Sequence, residues 1–315
     1  MLQLLAIVVA LACVAAVVVV LRDPRRLIRL EYTRQRIACG FALRSVVIDG
    51  KRWCYVERAG DAPDAPTMVL IHGYTGSKEN WYRLCAALGR RYRLIAPDLP
   101  GWGDSERVPG ADHGFVAQAG NVAGFLRHVV GTPVVLVGHS MGGAIAALVA
   151  ARHPELVARV ALLNAAGAEF KENAFARAVL DGANPFGIED QAALERYLSI
   201  LFHERRTRPF LPWPGTWAYV AFRRREAAFE QSVLDRIGRG DERLQPWQEA
   251  DRIRQPTLLL WGEHDHVIDP SALELYAQRI PQAHKRLLAR SGHMTLMEEP
   301  GAVADALRAL MEENA

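Results

Sequence analysis

One short stretch limits the possible folds of this chain more than any other. Gly138-His139-Ser140-Met141-Gly142 is a G-x-S-x-G turn set between an apolar run at 133–137 and a helix-forming run at 142–152. A serine between a buried strand and a helix sits on a sharp turn, and its hydroxyl projects at the edge of a sheet. Glycines at 138 and 142 remove side chains that would collide across that turn. The motif therefore asks for a strand–turn–helix unit within a larger parallel sheet.

The rest of the sequence supplies that sheet. Strand-like segments at 41–48 and 52–57 flank Asp49-Gly50, a two-residue hairpin signal. Strands at 67–71, 92–97, 134–137 and 157–163 then alternate with helices at 79–88, 115–130 and 142–152. Short apolar strands separated by amphipathic helices predict a mostly parallel sheet covered on both faces. The alternation stops between about 168 and 252, where the period is helical and no buried strand is evident. It resumes with a strand at 257–261, a helix at 271–280, a strand at 285–289 and a helix at 302–311. The expected organisation is an α/β core at 41–167 and 253–315, with residues 168–252 as a helical cap over the sheet edge where ligands of such sheets bind.

The N-terminus carries a different signal. From Leu2 to Leu21 only Gln3 is polar, and Arg22, Arg25, Arg26, Arg29, Arg34 and Arg36 follow. Twenty helical residues at ~1.5 Å each span about 30 Å, the thickness of a bilayer's hydrocarbon core. A cleaved signal peptide needs a basic start and a shorter apolar stretch, and neither is present. Residues 1–21 are therefore expected to form a transmembrane anchor and residues 22–40 a basic juxtamembrane linker. The positive-inside rule places the catalytic part on the cytoplasmic side. A net charge of +3 over 315 residues gives no case for nucleic acid. Cys13, Cys39, Cys54 and Cys85 show no disulfide or zinc spacing and read as unpaired thiols.

A serine hydroxyl attacks a carbonyl only when a base takes its proton. With the chain order serine, acid, histidine, the base follows the last strand. His293, in Ser291-Gly292-His293, meets that condition. His284 precedes the strand and lies at the wrong end, and His72 reads as a loop-shaping residue. The acid follows the penultimate strand, where Glu263, Asp265 and Asp269 are available. Asp265 has the favoured distance past the strand end, Asp269 resembles a helix-start residue, and Asp98 closes a different strand and reads as structural. Two backbone N–H groups complete such a site by holding the developing oxyanion. Met141 supplies one, and Tyr74, in the loop His72-Gly73-Tyr74-Thr75-Gly76, supplies the other. No HExxH, P-loop or G-x-G-x-x-G occurs, so neither a metal nor another cofactor is expected.

At these residues the sequence resembles the α/β-hydrolase superfamily. The blocks "LIHGYTGSKENW", "LIAPDLPGWGDS", "LVGHSMGG", "LLLWGEHDHVID" and "RSGHMTLMEEP" match in order and spacing. Within it the chain is most similar to membrane-anchored monoacylglycerol lipases and related bacterial lipases, in which an N-terminal transmembrane helix and an "NAAG" followed by a helical cap recur. The resemblance implies hydrolysis of lipid-like carboxylic esters through an acyl-enzyme. It assigns Ser140 as nucleophile, Asp265 as acid, His293 as base, and Tyr74 and Met141 as oxyanion donors. Dehalogenases and epoxide hydrolases of the superfamily need an aspartate where Ser140 stands.

The cap is the least matched part. Its run of Phe210, Leu211, Trp213, Trp217, Tyr219 and Phe222 suits an acyl tunnel, with Phe210, Trp213 and Trp217 as substrate-binding residues. It equally suits a lipid-facing surface or a small cap core. Arg223, Arg224 and Arg225 read either as a headgroup site or as a solvated helix face. The expected partners are a lipid-like ester substrate and the bilayer. The rival functions are a C–C bond or small-ester hydrolase of the same fold, an acyltransferase, and a non-catalytic membrane-tethered module.

Overall fold

The computed structural model describes residues 1–312, and their side chains except those of residues 2, 12, 13, 16 and 17. Among the described residues there are eight strands: β1 (Ala42–Ile48), β2 (Lys51–Arg58), β3 (Thr67–Ile71), β4 (Arg93–Pro97), β5 (Val134–His139), β6 (Val157–Leu163), β7 (Thr257–Gly262) and β8 (His284–Leu288). They form one sheet in the order β1-β2-β4-β3-β5-β6-β7-β8. The β1–β2 and β2–β4 pairings are antiparallel and all the others are parallel. Asp49 and Gly50, with φ of 49° and 74°, turn β1 into β2 as that dipeptide demands. Every residue of β5 and of β7 is buried, so the centre of the sheet is covered on both faces.

The helices are α1 (Leu2–Arg22), α2 (Arg25–Ala38), α3 (Tyr82–Leu88), α4 (Phe115–Phe125), α5 (Met141–Arg152), α6 (Ala174–Leu180), α7 (Gln191–Leu201), α8 (Gly215–Arg239), α9 (Gln245–Gln248), α10 (Ser271–Arg279), α11 (Thr295–Glu298) and α12 (Pro300–Glu312). α3 packs with α12 and α4 with α5. Helical structure fills the expected 115–130: a π-turn at Leu126–Val130 continues α4 and ends at Gly131, which adopts a left-handed conformation. Between β6 and β7 the described residues form only helices and loops, chiefly α6, α7 and the 25-residue α8.

The N-terminal segment departs from its expectation. Residues 25–38 form a helix, not a linker. Arg25, Ile28, Tyr32 and Gln35 recur at helical spacing as its half-buried stripe, and α2 packs on α8. The preceding α1 has 21 residues, and its described side chains are almost all exposed, Leu4, Leu11 and Leu21 by 69%, 64% and 58%. Among the described residues no helix is long and apolar enough to cross a membrane. Five side chains within α1 lie outside the description, so the spanning reading of residues 1–21 rests on the sequence. Cys39, Cys54 and Cys85 are free thiols, and Cys13 is among the residues whose side chains are not described.

Candidate active site

The sheet delivers Ser140 at the C-terminal end of β5. Its backbone is left-handed (φ 54°, ψ −119°), a strained conformation for a residue with a Cβ. Hydrogen bonds hold the turn from both sides: Ser140 N–H donates to Leu163 O at 2.9 Å, and Ala166 N–H donates to Ser140 O at 3.0 Å. A Cβ on Gly142 would lie 2.1 Å from Ile71 O, and one on Gly138 would lie 2.1 Å from Gly142 O. The two glycines let β3 and the start of α5 close on each other beneath the serine.

Asp265 and His293 meet below that turn. Asp265 Oδ2 accepts from His293 Nδ1 at 2.8 Å, which leaves Nε2 as the nitrogen free for a proton exchange. Asp265 Oδ1 accepts from Val267 N–H at 2.8 Å and Ile268 N–H at 3.0 Å. Glu263 is exposed, and Asp269 accepts from Ser271 N–H at the start of α10, so of the three acidic residues only Asp265 reaches the histidine. His284 opens β8 at its far end. Ser140, Asp265 and His293 are buried, with exposures of 7%, 3% and 2%.

Asn164, a residue given no role from the sequence, completes the group. It closes β6 in a left-handed conformation (φ 48°), which asparagine tolerates better than most residues. Its Nδ2 donates to Asp265 Oδ2 at 2.8 Å, and its Oδ1 accepts from Thr295 Oγ1 at 2.8 Å. One side chain thus links the acid to the loop that carries the histidine. Four hydrogen bonds then surround the Asp265 carboxylate and fix its position. The available signal was a polar residue ending an apolar parallel strand, at the sheet edge where ligands bind.

Two buried histidines brace the site through backbone contacts. Leu99 N–H donates to His72 Nε2 at 3.0 Å, so the proton is on Nδ1, which donates to Gly73 O at 2.9 Å. His139 Nε2 donates to His293 O at 2.8 Å. Burial pushes His72 down to about 4 and His139 down to about 3, so both are neutral at physiological pH. The His139 and His293 rings lie 4.9 Å apart. A charged His139 would oppose an imidazolium on His293, so its neutrality matters to any proton transfer there.

The loop after β3 is anchored in the same manner. Lys78 Nζ lies 2.7 Å from Asp98 Oδ2 and 2.9 Å from both Glu79 and Asp104, deep below the loop. Asp98 is structural, as its position suggested: it also accepts from the backbone N–H groups of Lys78 and Asp104 at 2.8 Å. The N–H groups of Tyr74 and Met141 have no protein acceptor among the described residues. Met141 opens α5, where the first N–H groups of a helix are without partners. Tyr74, Ser140 and Met141 border a common cavity.

That cavity has a volume of about 240 Å³ and is walled by Phe170, Phe175, Val179 and Leu234 of the cap. It lies below the roughly 300–1,000 Å³ of ordinary small-molecule sites, and its lining is mainly apolar. A second pocket of about 30 Å³ lies between Tyr74, Ser140 and His293, room for one water molecule. The cap is tied to the floor here. Leu201 O, at the end of α7, accepts from His293 N–H at 3.0 Å, and Tyr74 Oη donates to Glu230 O on α8 at 2.7 Å.

Three expectations for the cap need correction. Phe210 and Trp213 are 89% and 82% exposed and Trp217 is 38% exposed, and none of them borders the cavity. They line no tunnel and form no cap core, because the apolar lining comes from α6 and the C-terminal half of α8. Arg223 belongs neither to a headgroup site nor to a solvated face. It is 1% exposed, and its guanidinium donates to both carboxylate oxygens of Glu230, at 2.8 and 3.0 Å. Arg224 and Arg225 are exposed.

Comparison with known proteins points to the same fold. The chain is 27% identical over 311 residues to bovine monoacylglycerol lipase ABHD6, covering 95% of this chain and 90% of that one. It is 29% identical over 295 residues to Lipase 1 of Psychrobacter immobilis, covering 90% and 88%. The crystal structure of a membrane phospholipase A, described as a bacterial virulence factor, superposes with a TM-score of 0.86 at 32% identity, covering 98% of this chain and 97% of that one. The model of the alpha/beta hydrolase family matches residues 68–306. With sheet order, the strained turn at Ser140 and the family match in agreement, the chain belongs to the alpha/beta hydrolase family.

Proposed function

We propose that this protein is a serine hydrolase that cleaves the acyl ester of a membrane-derived lipid, such as a monoacylglycerol, through an acyl-enzyme. The observation that carries this reading is that Ser140 and the unpartnered Tyr74 and Met141 N–H groups border one apolar cavity, while Ser140, Tyr74 and His293, the last held by Asp265, border the small pocket of about 30 Å³. In the proposed reaction His293 takes the Ser140 proton as the hydroxyl attacks the ester carbonyl. The developing oxyanion is held by the two N–H groups. His293 then protonates the leaving alcohol, and Asp265 orients the ring and stabilises its charge without taking the proton. A water in the pocket beside His293 attacks the acyl-enzyme by the same route in reverse. The small apolar cavity suits a single acyl chain.

A second substrate, an acyl chain of a phospholipid, is favoured by the near-complete overlap with the membrane phospholipase A structure. We further propose that α1 spans the bilayer and that α2, with its arginines, lies on the cytoplasmic side. Hydrolysis of a p-nitrophenyl ester series, monoacylglycerols and phosphatidylglycerol by wild type and Ser140→Ala tests the assignment. Preference for acyl lipids, lost by about five or six decades in the variant, supports it. Activity confined to short soluble esters would leave the chemistry and remove the lipid.

A further inference from the structure

The cap carries an aromatic surface that the catalytic site does not use. Phe210 and Trp213 stand almost fully in solvent at the start of α8, and Trp217 lies on its first turn. Soluble surfaces rarely hold a cluster of large aromatic side chains without a partner. The basic residues around it are exposed as well: Arg205 and Arg206 precede the run, and Arg224 and Arg225 follow it.

The position of this surface identifies the partner. Trp217, Ala221 and Arg224 recur at i, i+4 and i+7, so they form one outer face of α8. That face leads to the point where α1 ends: the Arg225 guanidinium reaches Arg22 O at 3.5 Å, and Arg25 pairs with Glu226 at 3.4 Å and covers the Phe222 ring at 4.3 Å. From Trp217 to Arg225 is eight residues, about 12 Å along a helix. The aromatic surface therefore lies within one helix length of the apolar segment read as the anchor. Tryptophan flanked by arginine is the composition favoured where hydrocarbon meets anionic headgroups.

We infer that Phe210, Trp213 and Trp217 form a second membrane contact, inserting into the headgroup region of an anionic bilayer beside α1. This inference rests on the anchor reading above. The packing of α2 on α8 sets the domain beside α1, and a second contact with the lipid would hold it at one orientation. Because α8 runs unbroken from Trp217 to Leu234 at the cavity, about 25 Å, the contact holds the cavity at a set attitude to the lipid.

The full-length protein in vesicles of phosphatidylcholine and phosphatidylglycerol, with and without bromine on the acyl chains, provides the test. Four of the seven tryptophans (53, 81, 102 and 261) are buried, so quenching by brominated chains reports mainly on Trp213 and Trp217. Wild type should float with the vesicles and be quenched. Trp213→Ser/Trp217→Ser should float equally, lose most of the quenching, and lose several-fold in hydrolysis of vesicle lipid while keeping its rate on a soluble short ester. Flotation with no quenching in wild type, or equal quenching in the double variant, would overturn the contact and leave the anchor standing. Failure of wild type to float would overturn both.

Discussion

The floor of the site and the cap above it are built by opposite rules. On the floor almost every polar side chain is buried with its partners fixed. Asp265 accepts four hydrogen bonds, Asn164 links acid to histidine loop, and Lys78 is enclosed by three carboxylates. The cap has one buried clamp, Arg223 on Glu230, and otherwise presents an apolar wall inward and aromatic and basic side chains outward. In the proposed function the floor fixes atoms that must meet to within a fraction of an ångström, whereas the cap has only to exclude water and accept a flexible chain. Among the hydrogen bonds that join them, Leu201 to His293 and Tyr74 to Glu230 reach the proposed machinery through backbone or loop.

Substitutions in the two regions should therefore fail differently. The largest effect is expected on the floor. Asp265→Asn keeps the shape but gives His293 the wrong tautomer, and kcat for a soluble ester should fall by about 10⁴ with KM little changed. A loss under tenfold would mean that another acid serves His293.

Next is the cap clamp. Glu230→Ala leaves Arg223 buried without its partner, and breaking such a pair costs about 3–5 kcal/mol. The denaturation midpoint should drop accordingly, while the soluble-ester kcat of the folded protein stays within a few-fold. A catalytic loss larger than the stability loss would erase the distinction between the regions.

Asn164→Ala comes third. It removes one hydrogen bond from Asp265 and frees Thr295, and a misplacement of order 1 Å costs about 10²-fold in rate. The account expects kcat to fall by that order, with Thr295→Val reproducing part of it. An unchanged kcat with lowered stability would make Asn164 a strand cap and no more.

The smallest effect is on acid stability. Burial holds His72 and His139 at about 4 and about 3, against an ordinary 6.5. Below 6.5 the unfolded chain takes up protons that the folded chain refuses, so their contribution is complete above pH 6.5 and is lost as pH falls toward 4. Melting temperature followed over that interval should decline, and less steeply in His139→Gln. Equal slopes would show that the acid limb belongs to other groups.

The same contrast governs what the sequence disclosed. The floor was legible because its elements are local: a strand and a helix around Gly138–Gly142, and short polar strings after β7 and β8, place Ser140, Asp265 and His293 by chain order. The hairpin at Asp49-Gly50 was legible for the same reason. Asn164 was harder, since its role depends on Asp265 and Thr295, more than a hundred residues away in each case. The cap misled because aromatic composition does not say which way a side chain points. Phe210, Trp213 and Trp217 face out, while α6 and the far end of α8, less conspicuous in the sequence, wall the cavity. Arg223 shares a three-arginine run with Arg224 and Arg225, yet helix geometry turns it alone toward Glu230. The helix at 25–38 was hidden by its arginines, which cover a stripe of only half-buried residues.

The central claim, that Ser140 is the activated nucleophile of an acyl-transferring site, is tested most directly by a fluorophosphonate probe followed by peptide mass spectrometry. The account predicts a single adduct on Ser140, absent in Ser140→Ala and formed far more slowly in Asp265→Asn. Undiminished labelling of the Ser140→Ala protein, or an adduct on a different serine, would contradict it.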